Sequence, residues 1–427
     1  MSNNTKADWI SKDKEHVWHP FTQVSYAPAN VVIERGEGAC FIDIDGNRYI
    51  DGISSWWVNL HGHCNPHIVA SVTKQIGQLE HSIFAGFTHK PGIELAQRLL
   101  QHLPSFDKVF FSDNGSTSVE VALKMTFQYW SNKGTPKHKV IAFKDAYHGD
   151  TFGGMSVAAR NAFNQPFEAL LFDVISIDLP TDDNMNALLL QLESILQLGD
   201  VSCFIFEPLV LGASGMLMYT PEHLQLLIDL CRKYDCLTIA DEVMTGFGRT
   251  GKFFATDHLT NKPDIICMSK GITGGFFPLG ATACKQFIFD AFISNDKMKT
   301  FFHGHSYTGN PTICAAALAS MDLMESDTVQ QQINFITNSH ATFANELANC
   351  SNIEGVRHTG TILAFDIKTG EKTGYLNNAA EPLAEFFIKR GIILRPLGNV
   401  LYVLPPYCIS ADELGRVYDT VRELVGV

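Results

Sequence analysis

Asp241 and Lys270 are the two residues of this sequence best placed to do chemistry together. Each follows a short apolar run, residues 237–240 before Asp241 and 265–268 before Ser269-Lys270, and they stand 29 residues apart. Asp241 also opens a glycine-rich stretch, Asp241-Glu242-Val243-Met244-Thr245-Gly246-Phe247-Gly248-Arg249-Thr250-Gly251. In an open α/β sheet, ligands bind beyond the carboxyl ends of the strands. A carboxylate in that position needs a partner, because a buried unpaired charge is costly. An amine and a carboxylate at two strand ends suit pyridoxal phosphate. The amine condenses with the cofactor aldehyde, and the carboxylate pairs with the protonated ring nitrogen, which keeps the ring electron-withdrawing. A structural Asp–Lys ion pair would explain either residue alone; the glycine loop between them favours the cofactor.

Two further stretches fit such a ligand. Ser112-Asp113-Asn114-Gly115-Ser116-Thr117 joins an expected strand to an expected helix. Free N–H groups and the helix dipole favour an anion at that junction. Gly115 permits close approach and Ser116 or Thr117 adds a hydroxyl, although a simple N-cap explains the same residues. Tyr147-His148-Gly149-Asp150 follows another apolar run, so that Tyr147 can lie against a cofactor ring or pack as a core tyrosine.

The elements that must position these residues alternate along the middle of the chain. Strands are expected at 108–111, 139–143, 202–206, 237–240 and 265–268, with helices at 116–133, 185–196 and 221–234. Apolar strands separated by helices give an α/β fold with a mostly parallel central sheet. The last hundred residues differ, with helices at 327–347 and 411–425 and strands near 361–367, 392–395 and 401–404. They predict a smaller α+β domain at 326–427, joined by an N-terminal segment 1–60, around a large domain at 61–325.

Composition narrows the class. The 427 residues carry 32 Lys+Arg against 45 Asp+Glu, a net charge of −13, with 45% hydrophobic and 18% charged residues. That balance excludes a disordered chain and disfavours a chain-wide nucleic-acid or anionic-membrane surface. The first fifteen residues lack the apolar stretch of a signal peptide, and the apolar region 201–218 is too short and broken to span a bilayer. A cytoplasmic protein is expected. The ten cysteines include no C-x-x-C pair, and His61/His63 and His303/His305 lack further ligands at metal-binding spacing, so no metal is expected.

The stretches around Asp241 and Lys270, together with Asn114-Gly115-Ser116, Tyr147-His148-Gly149, Glu207-Pro208 and the run from His303 to Pro311, resemble the class III pyridoxal-phosphate aminotransferases in order and spacing. The resemblance covers nearly the whole chain. It implies a type I fold, with a large domain plus a smaller domain formed by both chain ends, and a homodimer whose active sites lie at the subunit interface. Lys270 would be the cofactor-bound lysine and proton shuttle. Asp241 would hold the ring nitrogen, Gly115 and Ser116 the phosphate, and Tyr147 would flank the ring. His305 and Ser306 would reach the phosphate in the neighbouring subunit, with Gly304 against substrate. Trp18-His19-Pro20-Phe21-Thr22, Ser54-Ser55-Trp56-Trp57 and the stretch from Arg395 through Tyr402 to Tyr407 are similar to one branch of that family. That branch aminates 8-amino-7-oxononanoate in biotin biosynthesis, using S-adenosylmethionine as amino donor.

By the same resemblance Phe21, Trp56, Trp57 and Tyr402 would line the substrate pocket and Arg395 would bind the substrate carboxylate, a role suited to its bidentate guanidinium. Three departures bear on the donor. Phe21 replaces a common tyrosine and removes a hydroxyl, His305-Ser306 replaces a Pro-Thr pair of some relatives, and Leu211 replaces a common glutamine. A lysine-using version of the reaction shares the phenylalanine and the His-Gly-His-Ser loop. A general ω-aminotransferase using glutamate, an aminomutase and a cofactor-sensing regulator would each also use a lysine-bound cofactor. The regulator would need a DNA-binding segment that the short N-terminus has no room for.

Overall fold

Val201–Phe206, Leu237–Asp241 and Ile265–Met268 are buried at every position. Strands apolar on both faces belong in the middle of a sheet covered by helices on both sides. A computed structural model describes residues 5–426; residues 1–4 of the expected N-terminal segment and Val427 of the C-terminal one lie outside them. Seven strands form the central sheet in the order Lys108–Ser112, Gly280–Cys284, Ile265–Met268, Leu237–Asp241, Val201–Phe206, Lys139–Phe143, Ile175–Ile177. The pairs from Ile265–Met268 to Ile175–Ile177 are parallel, and Gly280–Cys284 runs antiparallel to both its neighbours.

Gly280–Cys284 is absent from the strands expected on sequence. Its residues, Gly-Ala-Thr-Ala-Cys, are mostly small and poor in β-propensity. Small residues are what the site requires, because the helix Gly115–Asn132 packs across them and Thr282 Oγ1 donates to the Ser118 carbonyl at 2.9 Å. That helix starts where Asn114 caps it: the Asn114 side chain accepts from Thr117 N, and Thr117 Oγ1 accepts from Asn114 N.

The two chain ends meet in a second sheet. Ile33–Glu37, Cys40–Asp43 and Arg48–Asp51 form an antiparallel meander, and Ile392–Ile393 adds to Arg48–Asp51 in parallel. Ile353–Thr359, Ile362–Ile367 and Val400–Val403 make a third, antiparallel sheet. The helices Asp327–Leu347 and Ala411–Val425 are tied together beside it, with Phe343 stacked on Tyr418 at 4.2 Å and the Tyr418 hydroxyl 2.6 Å from His340 Nδ1. Among the described residues, no helix is long and apolar enough to cross a membrane.

One segment breaks local preference. Ser54, Ser55, Trp56 and Trp57 all have positive φ, between 49° and 73°, and form a left-handed helical turn closed by Val58 N donating to the Ser54 carbonyl. For L-residues this handedness costs on the order of 1–2 kcal/mol per residue, so surrounding contacts must impose it.

Gly280 is the closest approach between the antiparallel strand and the loop 112–116. A Cβ there would meet Ser112 Oγ and come within 2.5 Å of the Asn114 carbonyl oxygen. Gly280→Ala is expected to lower unfolding free energy by about 1–3 kcal/mol, the usual cost of overpacking. Urea denaturation checks it, and an unchanged midpoint would show that the loop yields freely.

Candidate active site

The strand ends deliver their residues to one edge. Asn114, Gly115 and Ser116 follow the strand Lys108–Ser112, Tyr147 and His148 follow Lys139–Phe143, and Glu207 follows Val201–Phe206. Asp241 ends its own strand and Lys270 lies two residues beyond Met268. Together with Trp57, Val243 and Met244 they line a cavity of about 630 Å³. Asp241 is 5% exposed, and each of its carboxylate oxygens takes one hydrogen bond. Oδ2 lies 2.7 Å from His148 Nδ1 and Oδ1 accepts from Val243 N at 3.1 Å. The geometry makes His148 Nδ1–H the donor; the buried Nε2 has no hydrogen-bond partner among the described residues.

Lys270 keeps part of its surface open to the cavity, with positive φ (47°) and its amine 4.9 Å from the centre of the Trp57 ring. Burial holds that amine below the ordinary lysine range. Asp241 and Glu207 oppose this fall, and Arg249 adds to it. A depressed lysine is more often neutral and so more nucleophilic and more basic toward carbon acids.

Glu207 performs a task that the sequence alone did not assign. Its oxygens accept from Tyr147 N at 2.9 Å and Gly212 N at 3.0 Å, which fixes the backbone at Tyr147. Burial pushes its carboxyl up to about 7; His148 and the two N–H donors pull down, and Asp241 pushes up. The signal was available, since Glu207 follows a buried strand as Asp241 does. The Tyr147 hydroxyl donates to Asp150 Oδ1 at 3.0 Å, and Asp150 N donates to Ser116 Oγ at 3.1 Å. These bonds tie the aromatic to the helix N-terminus. Burial first, then Asp150, raises the Tyr147 phenol pKa, so it stays protonated.

Beside the cavity stands a second group. The Arg395 guanidinium lies 3.8 Å from the centre of the Trp56 ring and 5.9 Å from that of Phe21, and Phe21 meets Trp56 edge-on at 5.4 Å. Arg395 forms no ion pair with another described residue. Phe163 bridges toward the cavity, touching Phe21 at 5.9 Å and Tyr147 at 6.4 Å. Four further expected residues do not line the cavity. Gly304, His305 and Ser306 are exposed and do not line the cavity, with His305 Nδ1 3.4 Å from Asp113 Oδ2. Tyr402 is core, 1% exposed beneath Trp57.

The donor set fits pyridoxal phosphate. A buried amine would meet its aldehyde, a buried carboxylate backed by His148 its ring nitrogen, and the N-terminal end of Gly115–Asn132 with the Ser116 hydroxyl its phosphate.

Comparison with known proteins agrees with this chemistry. Residues 21–425 match the family model for aminotransferase class-III. The chain is 47% identical to the adenosylmethionine-8-amino-7-oxononanoate aminotransferase of Synechococcus elongatus, over 96% of this chain and 98% of that protein. It is 40% identical to the protein of the same name from Geobacter sulfurreducens, over 99% and 97%. The crystal structure of the Methanocaldococcus jannaschii protein of that name superposes with a TM-score of 0.93 at 34% identity, covering 99% of both chains. A PLP-bound amine transaminase from an uncultivated Pseudomonas species superposes at 0.90 with 30% identity, covering 96% of this chain and 98% of that one.

Glu207 makes stability depend on pH. The folded carboxyl keeps its proton to about pH 7, whereas an unfolded one releases it near 4.5. The folded state therefore binds more protons between those values. The stability this confers is complete below about 4.5 and is lost as pH rises to 7. Glu207→Gln has no proton to lose. Its stability relative to the parent, measured by urea unfolding of cofactor-free protein, should rise across that window by up to about 3 kcal/mol. A difference independent of pH would count against the assignment.

Proposed function

The chain belongs to the class III aminotransferases, and on that premise we propose that it moves an amino group from S-adenosylmethionine to the ketone of 8-amino-7-oxononanoate. The product is 7,8-diaminononanoate, on the route to biotin. The fold is the type I arrangement of that family, and pyridoxal phosphate is its cofactor. When bound, it supplies a carbonyl that exchanges with substrate amines and a ring that withdraws electrons.

The observation that carries the reading is Arg395. A guanidinium without a protein carboxylate, resting on Trp56 next to the Trp57 that covers Lys270, is a receptor for a carboxylate held away from the reacting carbon. An oxo acid with a long apolar chain meets that demand, and Phe21 and Trp56 give its methylene groups apolar walls. Lys270 Nζ takes the proton from the amine-bearing carbon of the donor and, in the second half, returns one to the former ketone carbon of the acceptor. Asp241, oriented by the His148 N–H, holds the ring nitrogen in its protonated form. Gly115 and Ser116 would hold the phosphate, and Tyr147, fixed by Glu207 and Asp150, would flank the ring.

The reading includes a homodimer. Ile83, Phe87, Phe302 and Tyr307 are 58–68% exposed around the loop that holds Gly304, His305 and Ser306, and the segments 80–84 and 302–312 are joined by Asn310 Nδ2 donating to the Glu80 carbonyl. Exposed large apolar side chains of this kind mark an interface. In a second copy, that loop would complete the phosphate and substrate sites. All ten cysteines are free, which fits a reducing cytoplasm.

Two measurements test the reading. Cofactor-loaded protein, given S-adenosylmethionine, lysine or glutamate separately, should convert to the pyridoxamine phosphate absorption with S-adenosylmethionine alone. Conversion by lysine alone would retain the acceptor and change the donor, as the Phe21 ring without a hydroxyl allows; conversion by glutamate alone would withdraw the Trp56 and Arg395 roles. Lys270→Ala should keep its melting temperature within a few degrees and lose turnover by at least about 10²–10⁴-fold. Full activity in that variant would refute the mechanism.

A further inference from the structure

The left-handed turn Ser54–Trp57 places both tryptophans of the site, yet neither serine nor tryptophan favours that conformation. What imposes it is a carboxylate with no surface. Asp51 is 0% exposed and lies at the end of the strand Arg48–Asp51. Its Oδ1 accepts from Ser55 N at 2.9 Å, and its Oδ2 accepts from the Ser55 hydroxyl at 2.6 Å. On the far side, His63 Nε2 lies 3.1 Å from the same Oδ2.

The direction of that last bond is settled by its neighbours. Gly62 N donates to Asn59 Oδ1 at 2.8 Å, so the Asn59 amide turns its Nδ2 toward His63 Nδ1, 3.0 Å away. Nδ1 is then the acceptor and Nε2–H the donor to Asp51. Gly36 leaves the room for this ring, since a Cβ there would come 2.5 Å from His63 Cβ. The strand carrying Asp51 pairs with Ile392–Ile393 in register Asp51 to Ile393, two residues before Arg395. Gly52 N donates to the Ile393 carbonyl, and the Ser54 hydroxyl to the Leu404 carbonyl at 2.7 Å.

We propose that Asp51 is a positioning residue for substrate recognition: through the Ser55 bonds it holds the left-handed turn, and the turn sets the Trp56 ring against the Arg395 guanidinium. Asp51 touches neither substrate nor cofactor. Its effect is transmitted through Trp56, so it requires Arg395. The inference rests on the carboxylate-binding role given to Arg395 above.

The test is a double-mutant cycle on the cofactor-loaded enzyme. Asp51→Asn keeps the shape but has one accepting oxygen, so it cannot accept from Ser55 N at one end and from the Ser55 hydroxyl and His63 at the other. It should raise KM for 8-amino-7-oxononanoate by about 5–50-fold with kcat changed less than about 3-fold, the signature of lost uniform binding. In an Arg395→Ala background the same substitution should add less than about 2-fold to KM, because the guanidinium it acts through is gone. An unchanged KM, or the same factor in both backgrounds, would overturn the proposal. Should Asp51→Asn fail to fold, Ser55→Ala removes one bond only and is held to the same comparison, with a rise of about 2–5-fold expected. Wild-type turnover of 8-amino-7-oxononanoate tests the functional reading separately. If another carboxylate-bearing acceptor proves to be the substrate, the same ratios are read with it.

Discussion

The cost of holding charge out of water organises the carboxyl edge of the central sheet. Asp241, Glu207 and Lys270 come to one cavity from three adjacent strands, and none is left to solvent alone. Asp241 is answered by the His148 N–H, Glu207 by two backbone N–H groups, and the Lys270 amine by the attraction of Asp241 and Glu207, while burial weakens its hold on a proton. Each compensation also fixes a position. His148 aims the Asp241 carboxylate, Glu207 fixes the backbone beneath Tyr147, and the strained backbone at Lys270 points its amine into the cavity beside Trp57. The energetics of burial and the geometry of the site are therefore one set of bonds.

The central sheet carries Asp241, Glu207 and Lys270, whereas Trp56 and Arg395 follow strands of the sheet in which the two chain ends meet. Arg395, Trp56 and Phe21 all come from segments near the chain ends, and only Trp57 reaches across to the cavity itself. The residues proposed for the reaction and those proposed for substrate recognition thus come from separately built parts.

The sequence displayed the parts of this arrangement that depend on local pattern. Apolar runs located five of the seven central strands, missing Ile175–Ile177 and Gly280–Cys284, and the amphipathic pattern placed the start of the helix Gly115–Asn132 to within one residue. An acid and an amine after two such runs singled out Asp241 and Lys270. Long-range pairing left no local trace. His148 stands 93 residues from Asp241, and nothing in Tyr147-His148-Gly149 distinguishes a ring facing a carboxylate from one packed in the core. Gly280–Cys284 has a single β-branched residue, Thr282, among small ones, because a helix presses on it. The meander from Ile33 to Asp51 was too short and too exposed on one side to stand out. The left-handed turn was illegible for a different reason: its residues disfavour that conformation, and the contacts that enforce it come from Asp51, His63 and Leu404.

The parallel pairing of Arg48–Asp51 with Ile392–Ile393 closes a loop of more than three hundred residues. Closure entropy grows slowly with length, but so distant a contact must wait for nearly all of the chain. During synthesis from the N-terminus, every strand of the central sheet and the residues of the cofactor cavity emerge before residue 392 does. Trp56 gains its guanidinium neighbour only afterwards. A nascent chain can thus form the sheet edge that carries Asp241 and Lys270 before the segment bearing Arg395 exists, and the contact of Trp56 with that guanidinium is among the last that the polypeptide makes.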